Sequence, residues 1–224
     1  PYIVKGTDSA TGQNVGFLTR VDPTSTVLRT AATAALPVAN STCPSASGFS
    51  KSKGVTKNIY ATFKPTGFSK PITVIGAHFL AQPDNKVRCY EREGQAQVIA
   101  NLAVSQVSAG NHVIISGDLN DWSRQAPDRN SNAPISNALG LLEGPGFSNV
   151  GALAEKSTRY TQWFDRNNDC SYVLTEVSSL DHIIVSNSIK SSITNVAFRN
   201  DLYTTSCSGF NSDHYPIAVT FKAA

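Results

Sequence analysis

The residues of this 224-residue chain with most to offer chemically are carboxylates next to apolar runs. In His112-Val-Ile-Ile-Ser-Gly-Asp118-Leu-Asn120-Asp121 an apolar run delivers a carboxylate and a carboxamide two positions apart, and along a strand that spacing turns both to one face. Together they can polarise a water molecule and hold an oxyanion, as a phosphoester hydrolase requires. The same residues also suit an ordinary Asx turn, because Gly-Asp and Asn-Asp are common turn formers. Two more carboxylates precede apolar runs: Asp181 in Leu180-Asp181-His182, before Ile183–Val185, and Asp213 in Ser212-Asp213-His214-Tyr215-Pro216, before Ile217–Phe221. A histidine follows each, and an imidazole whose tautomer a carboxylate fixes can serve as general base or phosphate ligand. His78 ends a fourth apolar run, Ile72-Thr-Val-Ile-Gly-Ala. By itself such a histidine is more often a satisfied core residue than a catalyst.

The elements that must position these groups can be read from patterning. Strands are expected at Val15–Leu18, Asn58–Phe63, Ile72–Ala77, Val113–Ser116, Ile183–Ser186 and Ile217–Phe221, with weaker ones at Tyr160–Phe164 and Ile193–Phe198. Glu91–Val107 places Ala96, Ile99, Ala100, Ala103 and Val107 at helical spacing, and Ile135–Leu142 predicts a second helix. Ala31–Ala35 reads as a short helix ended by Pro37, and Asp121–Ala133 and Gln162–Ser171 read as exposed polar loops. The class is therefore mixed α/β. With 40% hydrophobic residues and no internal repeat, residues 1–224 suffice for one domain with a full core.

Composition narrows the setting. Nineteen Lys and Arg against sixteen Asp and Glu suit a phosphate-bearing substrate without requiring one. Lys51, Lys53 and Lys57 could meet a nucleic-acid backbone, although such a run equally suits a solvated loop. No apolar run approaches the roughly 18 residues that cross a bilayer. The cysteines, Cys43, Cys89, Cys170 and Cys207, contain no Cys-x-x-Cys pair, which favours disulfides over a zinc site. Of the possible connectivities, Cys43 with Cys89 and Cys170 with Cys207 is preferred, because each pair staples a long loop. Asn40-Ser41-Thr42 is a glycosylation sequon, and with the disulfides it predicts a secreted protein. The start at Pro1-Tyr2, without Met or leader, predicts that a signal peptide has been removed.

Taken in order, Gly76-Ala77-His78-Phe79, Ser116-Gly117-Asp118-Leu119-Asn120, Ser179-Leu180-Asp181-His182-Ile183 and Ser212-Asp213-His214-Tyr215-Pro216 resemble the endonuclease/exonuclease/phosphatase superfamily, the DNase I-like proteins. Arg92-Glu93-Gly94-Gln95-Ala96-Gln97 is similar to the start of the family's helix between the His and Asp-x-Asn strands. The resemblance implies a four-layer α/β/β/α sandwich with the site at one end. It implies that Asp118 orients or deprotonates the attacking water, Asn120 holds a phosphate oxygen, and Asp181 orients His214 as a dyad. It further implies that His78 stabilises the phosphate or the leaving oxygen, that Asp213 lies at or beside a divalent metal, and that Arg20 contacts phosphate. The metal would be Mg²⁺, with Ca²⁺ or Mn²⁺ as alternatives.

One departure stands out. The family takes an Asn and a metal-binding Glu from its first strands, and this sequence shows no equivalent before Pro1; Glu91, Glu93, Glu143, Glu155 and Glu176 lie outside the matching segments. The N-terminal part of the fold is therefore expected to be missing, with a cleaved segment as a possible partner. The resulting expectation is an extracellular, metal-dependent nuclease. The alternatives are a phospholipid or sugar-phosphate phosphodiesterase of the same fold, and a non-catalytic binding protein without the metal carboxylate.

Overall fold

A computed structural model describes residues 13–201 and 212–223, together with the backbone of 2–5. Two antiparallel ribbons come first: β1 (Tyr2–Lys5) with β2 (Gly16–Thr19), and β3 (Thr33–Ala35) with β4 (Ser52–Gly54). β5 (Asn58–Phe63) and β6 (Ile72–Ala77) lead into the long helix α1 (Lys86–Ser108), β7 (His112–Asp118) and a short helix α2 (Ala138–Leu142). Then follow β8 (Phe147–Asn149), β9 (Gln162–Trp163), β10 (Val177–Ser178), β11 (Asp181–Ser186), a one-turn helix α3 (Asn187–Lys190), β12 (Ile193–Phe198) and β13 (Ile217–Phe221). The central sheet has the order β5-β6-β7-β11-β8, in which only β6 and β7 run parallel. Parallel neighbours need a crossover, and α1 supplies it.

Side-chain alternation divides the sheet into two apolar faces. Ile75, Ala77, Val113, Ile115 and Ile184 pack with Ala96, Ile99 and Ala103 of α1. Ile72, Val74, Ile114, Ile183 and Val185 turn the other way, toward Val196, Val219 and Phe221 of the β12–β13 pair. A helix layer, a sheet and the strands of a second sheet are thus present, as a DNase I-like sandwich requires. A second outer helix layer is absent among the described residues. The parity matters for chemistry, because His78, Asp118 and Asp181 continue the rows that face β12 and β13.

Helix α1 begins five residues before its expected start. Asn85 caps it, its side chain accepting from the Val87 and Arg88 amides at 3.1 Å each. Within it, a Cβ on Gly94 would lie 2.7 Å from Leu36 Cδ2, so the missing side chain lets the β3–β4 ribbon seat on the helix. Cys43 and Cys89 close the same corner as a disulfide. Cys170 is also disulfide-bonded, and its expected partner Cys207 lies outside the described residues.

Four expectations are corrected. Residues 31–35 form no helix: Thr33–Ala35 is strand β3, since a five-residue run ending near Pro37 is too short to sustain helical turns, whereas pairing with β4 satisfies its backbone. The polar segment 121–133 is not uniformly exposed, because Asp121, Ser123, Ala126 and Asp128 are buried and their polar atoms tie the loop internally. In 162–171 likewise, Trp163 is buried in β9 and donates from Nε1 to Glu176 Oε2 at 3.1 Å. The second predicted helix is also shorter than expected, starting at Ala138.

Candidate active site

The carboxyl end of β7 and the start of β11 form the floor of the site. Their register sets Asp118 directly opposite Asp181, two like charges facing each other across the sheet. Burial first, and then the Asp181 charge, push the Asp118 carboxyl up to about 7, against the opposing pull of His214 and the hydrogen bonds from Asn120. Asp181 is held by its backbone: the Leu180 and Asp181 amides both donate to Thr161 Oγ1 at 3.0 Å, and Thr161 is fully buried.

His214 comes from the turn before β13. That turn is fastened to the β9 region, where Tyr215 N donates to Thr161 O at 2.7 Å and Trp163 N to Asp213 O at 3.0 Å. His214 Nδ1 thereby meets Asp181 Oδ2 at 2.6 Å. Burial alone would lower this imidazole, but the Asp181 hydrogen bond and the charges of Asp181, Asp118 and Asp213 outweigh it and raise it to about 9. His78 completes the group from the end of β6, its Nε2 3.5 Å from Asp118 Oδ2. Phe79 N donates to Asp118 O at 2.9 Å, locking the two strand ends together.

Asn120 leaves the strand with φ +50°, and its amide donates to Asp118 Oδ1 at 3.1 Å. The Asx turn and the functional pair are therefore the same object. Asn120 Nδ2 donates to Phe79 O at 3.0 Å, and the side chain also hydrogen-bonds the Asp118 carboxyl, so it is held firmly at the mouth of the turn. Gly117 makes this crossing possible: at φ +148° a Cβ would lie 1.9 Å from Ala77 O.

The structure thus gathers His78, Asp118, Asn120, Asp181 and His214. It does not bring Arg20 to them. Arg20 is exposed after β2, three residues before Pro23 bridges Phe63, and Phe63 pairs with Ile72 at the end of β6 remote from His78. Lys53 pairs with Glu91 at 3.0 Å and Lys57 donates to Gln13 at 2.7 Å, so these lysines brace the surface near β4 and β5. Asn40 is exposed, as a glycosylation site must be. His182, next to Asp181, points to the opposite face and is buried, with Nε2 2.8 Å from Asp121 O and Nδ1 3.2 Å from Asn149 Nδ2.

A buried support network went unread in the sequence. Arg92 has no exposed surface; its Nε donates to Asp121 Oδ2 at 2.9 Å and its other nitrogens donate to the carbonyls of Leu80, Gln82 and Pro83. Asp121 also accepts from Ser136 Oγ. Arg92 thereby joins the loop after His78 to the loop after Asn120. The available signal was an arginine lying between Cys89 and Ala96 on the buried stripe of α1. Glu93, also buried, accepts from the Thr42 and Asn137 amides and fastens the β3–β4 region to α2.

Among the described residues, one group of three acid, histidine or cysteine side chains is close enough to share an ion: Cys43, Cys89 and Glu93. Its sulfurs are joined to each other, so it offers no ligand set. Asp118, Asp181 and Asp213 do not close such a group. Among the described residues these three carboxylates therefore form no three-ligand set, and no catalytic step is assigned to a metal.

A cavity of about 560 Å³ adjoins the site, with Asn120 in its wall. A second, of about 580 Å³, lies under Arg29–Thr33 and Ser50–Thr56, away from these residues.

No family model and no curated protein matches the chain. Solved structures do. The Xenopus laevis APE2 catalytic domain superposes with a TM-score of 0.59 at 16% identity, over 75% of this chain and 55% of that one. The 3′ phosphatase NExo from Neisseria, bound to product DNA hairpin, gives 0.55 at 16% identity over 74% of this chain and 64% of its own. The endonuclease domain of TRAS1, a telomere-specific non-LTR retrotransposon, gives 0.58 at 14% identity over 99% and 80%. The chain spans less than two thirds of the first two. Identities this low establish architecture alone, and on that ground the chain shares the DNase I-like fold of these structures.

Proposed function

We propose that this protein hydrolyses phosphodiester bonds and that nucleic acid is its substrate. The observation that carries the reading is the convergence of five polar side chains at one end of the sheet, with Asp118 and His214 drawn in opposite directions of use. A carboxyl near 7 accepts a proton at neutral pH, and an imidazolium near 9 supplies one. Asp118 takes a proton from water as the water oxygen bonds to phosphorus. The ester P–O bond breaks on the far side, and the leaving oxygen takes its proton from His214 Nε2, since Nδ1 is committed to Asp181. Asn120 and His78 hold the non-bridging oxygens. A divalent metal, Mg²⁺, is supplied in the assay.

Nucleic acid is favoured over lipid by the company of the fold: the NExo structure holds product DNA, and a zebrafish TDP2 structure of the same fold holds a single-stranded DNA product. The Cys43–Cys89 disulfide supports an extracellular or otherwise oxidising location, where such bonds persist. The test is release of acid-soluble nucleotides from DNA and RNA in Mg²⁺, run beside release of headgroup from phospholipid vesicles. Nucleotide release without headgroup release is expected. The reverse pattern would replace the nuclease reading with the lipid one, and silence on both would favour a binding protein.

A further inference from the structure

Glu93 lies on α1 with no exposed surface, and its two carboxylate oxygens differ in their surroundings. Oε1 accepts from the Thr42 amide at 3.1 Å and from the Asn137 amide at 2.7 Å. Oε2 is equally enclosed, yet it has no hydrogen-bond partner among the described residues. Leaving a buried carboxylate oxygen bare is costly, and in folded proteins such an atom marks a strained, reactive or ion-binding position.

The carboxylate adjoins the Cys43–Cys89 disulfide: one of its oxygens and the two sulfurs all lie within 4.8 Å of one another. Cys89 and Glu93 are four residues apart on α1, the spacing that sets two ligands on one helical face, and Cys43 arrives from the loop after β3. While the S–S bond is closed the sulfurs are taken. Opened, they become two soft ligands beside a hard one. Two thiolates on one tetrahedral zinc at ~2.3 Å stand roughly 3.8 Å apart. The 5.7 Å between the two Cα atoms leaves that separation within reach of side-chain rotation. Two thiolates, a carboxylate and an open fourth position suit an ion of the zinc kind and not calcium or magnesium, which prefer oxygen ligands alone. Three anionic groups in one enclosed corner also need a cation to hold them together.

The corner does not depend on the sulfur bond for its shape. Tyr90 Oη donates to Cys43 O at 3.4 Å and to Pro44 O at 3.3 Å, and its ring stacks on Phe49 with centroids 4.0 Å apart. Thr42 Oγ1 donates to Ile135 O at 3.1 Å. Residues on both sides of Cys43 are thus fastened to α1 and to the segment before α2 by contacts that reduction leaves intact.

We infer that Cys43, Cys89 and Glu93 form a redox-gated site for a thiophilic divalent ion of the zinc class, a disulfide in oxidising surroundings and a metal site in reducing ones. A dithiol reductant opens it: the S–S bond breaks, the dithiol gives up two electrons and two protons to form the Cys43 and Cys89 thiols, and it leaves as its own disulfide. The ion then displaces both thiol protons to solvent and binds the two Sγ atoms and the Glu93 carboxylate. Either form fastens the loop after β3 to α1.

The test is metal binding by the intact chain, reduced with dithiothreitol, desalted without air and titrated with Co²⁺ beside the disulfide form. The reduced protein is expected to show a thiolate-to-cobalt charge-transfer band that Zn²⁺ abolishes and Mg²⁺ does not, and the disulfide form should show none. Cys170 is also disulfide-bonded, so variants assign the band. Cys43→Ser and Glu93→Gln should each weaken Co²⁺ binding by at least about tenfold, and Zn²⁺ should raise the urea midpoint of the reduced protein but not of the reduced Cys43→Ser variant. An unfolded chain could still bind through its thiols, but only the folded corner brings Glu93 to them. No band on reduction, or undiminished Co²⁺ affinity in either Cys43→Ser or Glu93→Gln, would overturn the inference. None of these readouts involves phosphodiester cleavage, so the site and the proposed activity stand or fall separately.

Discussion

The dipeptide Asp-His occurs twice, at the start of β11 and in the turn before β13, and the fold uses opposite halves of it. At β11 the aspartate enters the site, while His182 turns to the helix-facing side and is buried against Asp121 and Asn149. In the turn the histidine enters the site, while Asp213 contributes its backbone carbonyl to Trp163. Strand parity explains the first case, because consecutive residues of β11 must face opposite ways. The second residue pair lies in a turn, free of that alternation, and its fastening to β9 decides where the imidazole lands. One dipeptide thus yields a histidine buried in a supporting position and one at the candidate site, and the pair that meets there, Asp181 with His214, comes from different dipeptides.

Breaking the reactive half should have the largest effect. His214→Ala is expected to lower kcat by about 10²–10⁴-fold, the usual weight of a positioned proton-transfer group, measured on an oligonucleotide substrate. His182→Ala should lose less than the lower end of that range per folded molecule, and should instead cost about 1–3 kcal/mol in urea denaturation, because Asp121 O and Asn149 lose a buried partner. In stability terms the support shared by both loops outweighs His182. Arg92→Ala strands a buried carboxylate and should cost about 3–5 kcal/mol by the same measurement.

The mildest test sharpens the contrast through pH. His214 is raised when folded, so the stability it contributes is complete below about 6.5 and fades as pH rises through about 9. The gap between the protein and His214→Ala in urea midpoint should close over that window. Turnover should follow a bell, rising through about 7 as Asp118 ionises and falling through about 9 as His214 loses its proton. A profile falling between pH 7 and 8 would contradict the assignment of base and acid.

Much of this was legible in the sequence where local pattern carries the information. The apolar runs ending at His78 and Asp118 announce β6 and β7, the spacing of Ala96, Ile99 and Ala103 announces α1, and the preferred Cys43–Cys89 pair is the one formed. The five side chains that converge were nameable as candidates for the same reason, since each sits beside the end of a run. What local pattern could not convey was pairing between distant segments. That Asp118 stands opposite Asp181 follows from the β7–β11 register, and that Arg92 is buried follows from two loops converging on α1. Thr33–Ala35 was misread because its conformation is imposed by β4, whereas Trp163 falls in a strand as expected within Tyr160–Phe164 and only its burial against Glu176 was missed. Arg20 likewise lies beyond the reach of the cluster, because β2 runs toward the far end of β6.

The central claim is that Asp118 is kept in an unfavourable place for the sake of proton transfer. Asp118→Asn tests it most directly, with turnover and urea midpoint read on the same preparation at pH 8. A carboxyl raised by folding costs stability once pH exceeds its unfolded value near 3.8, so replacing it with a neutral isostere removes that cost. The account predicts cleavage reduced by about 10²-fold or more and a midpoint that holds or rises. Retained cleavage, or a midpoint that falls as in Arg92→Ala, would contradict it.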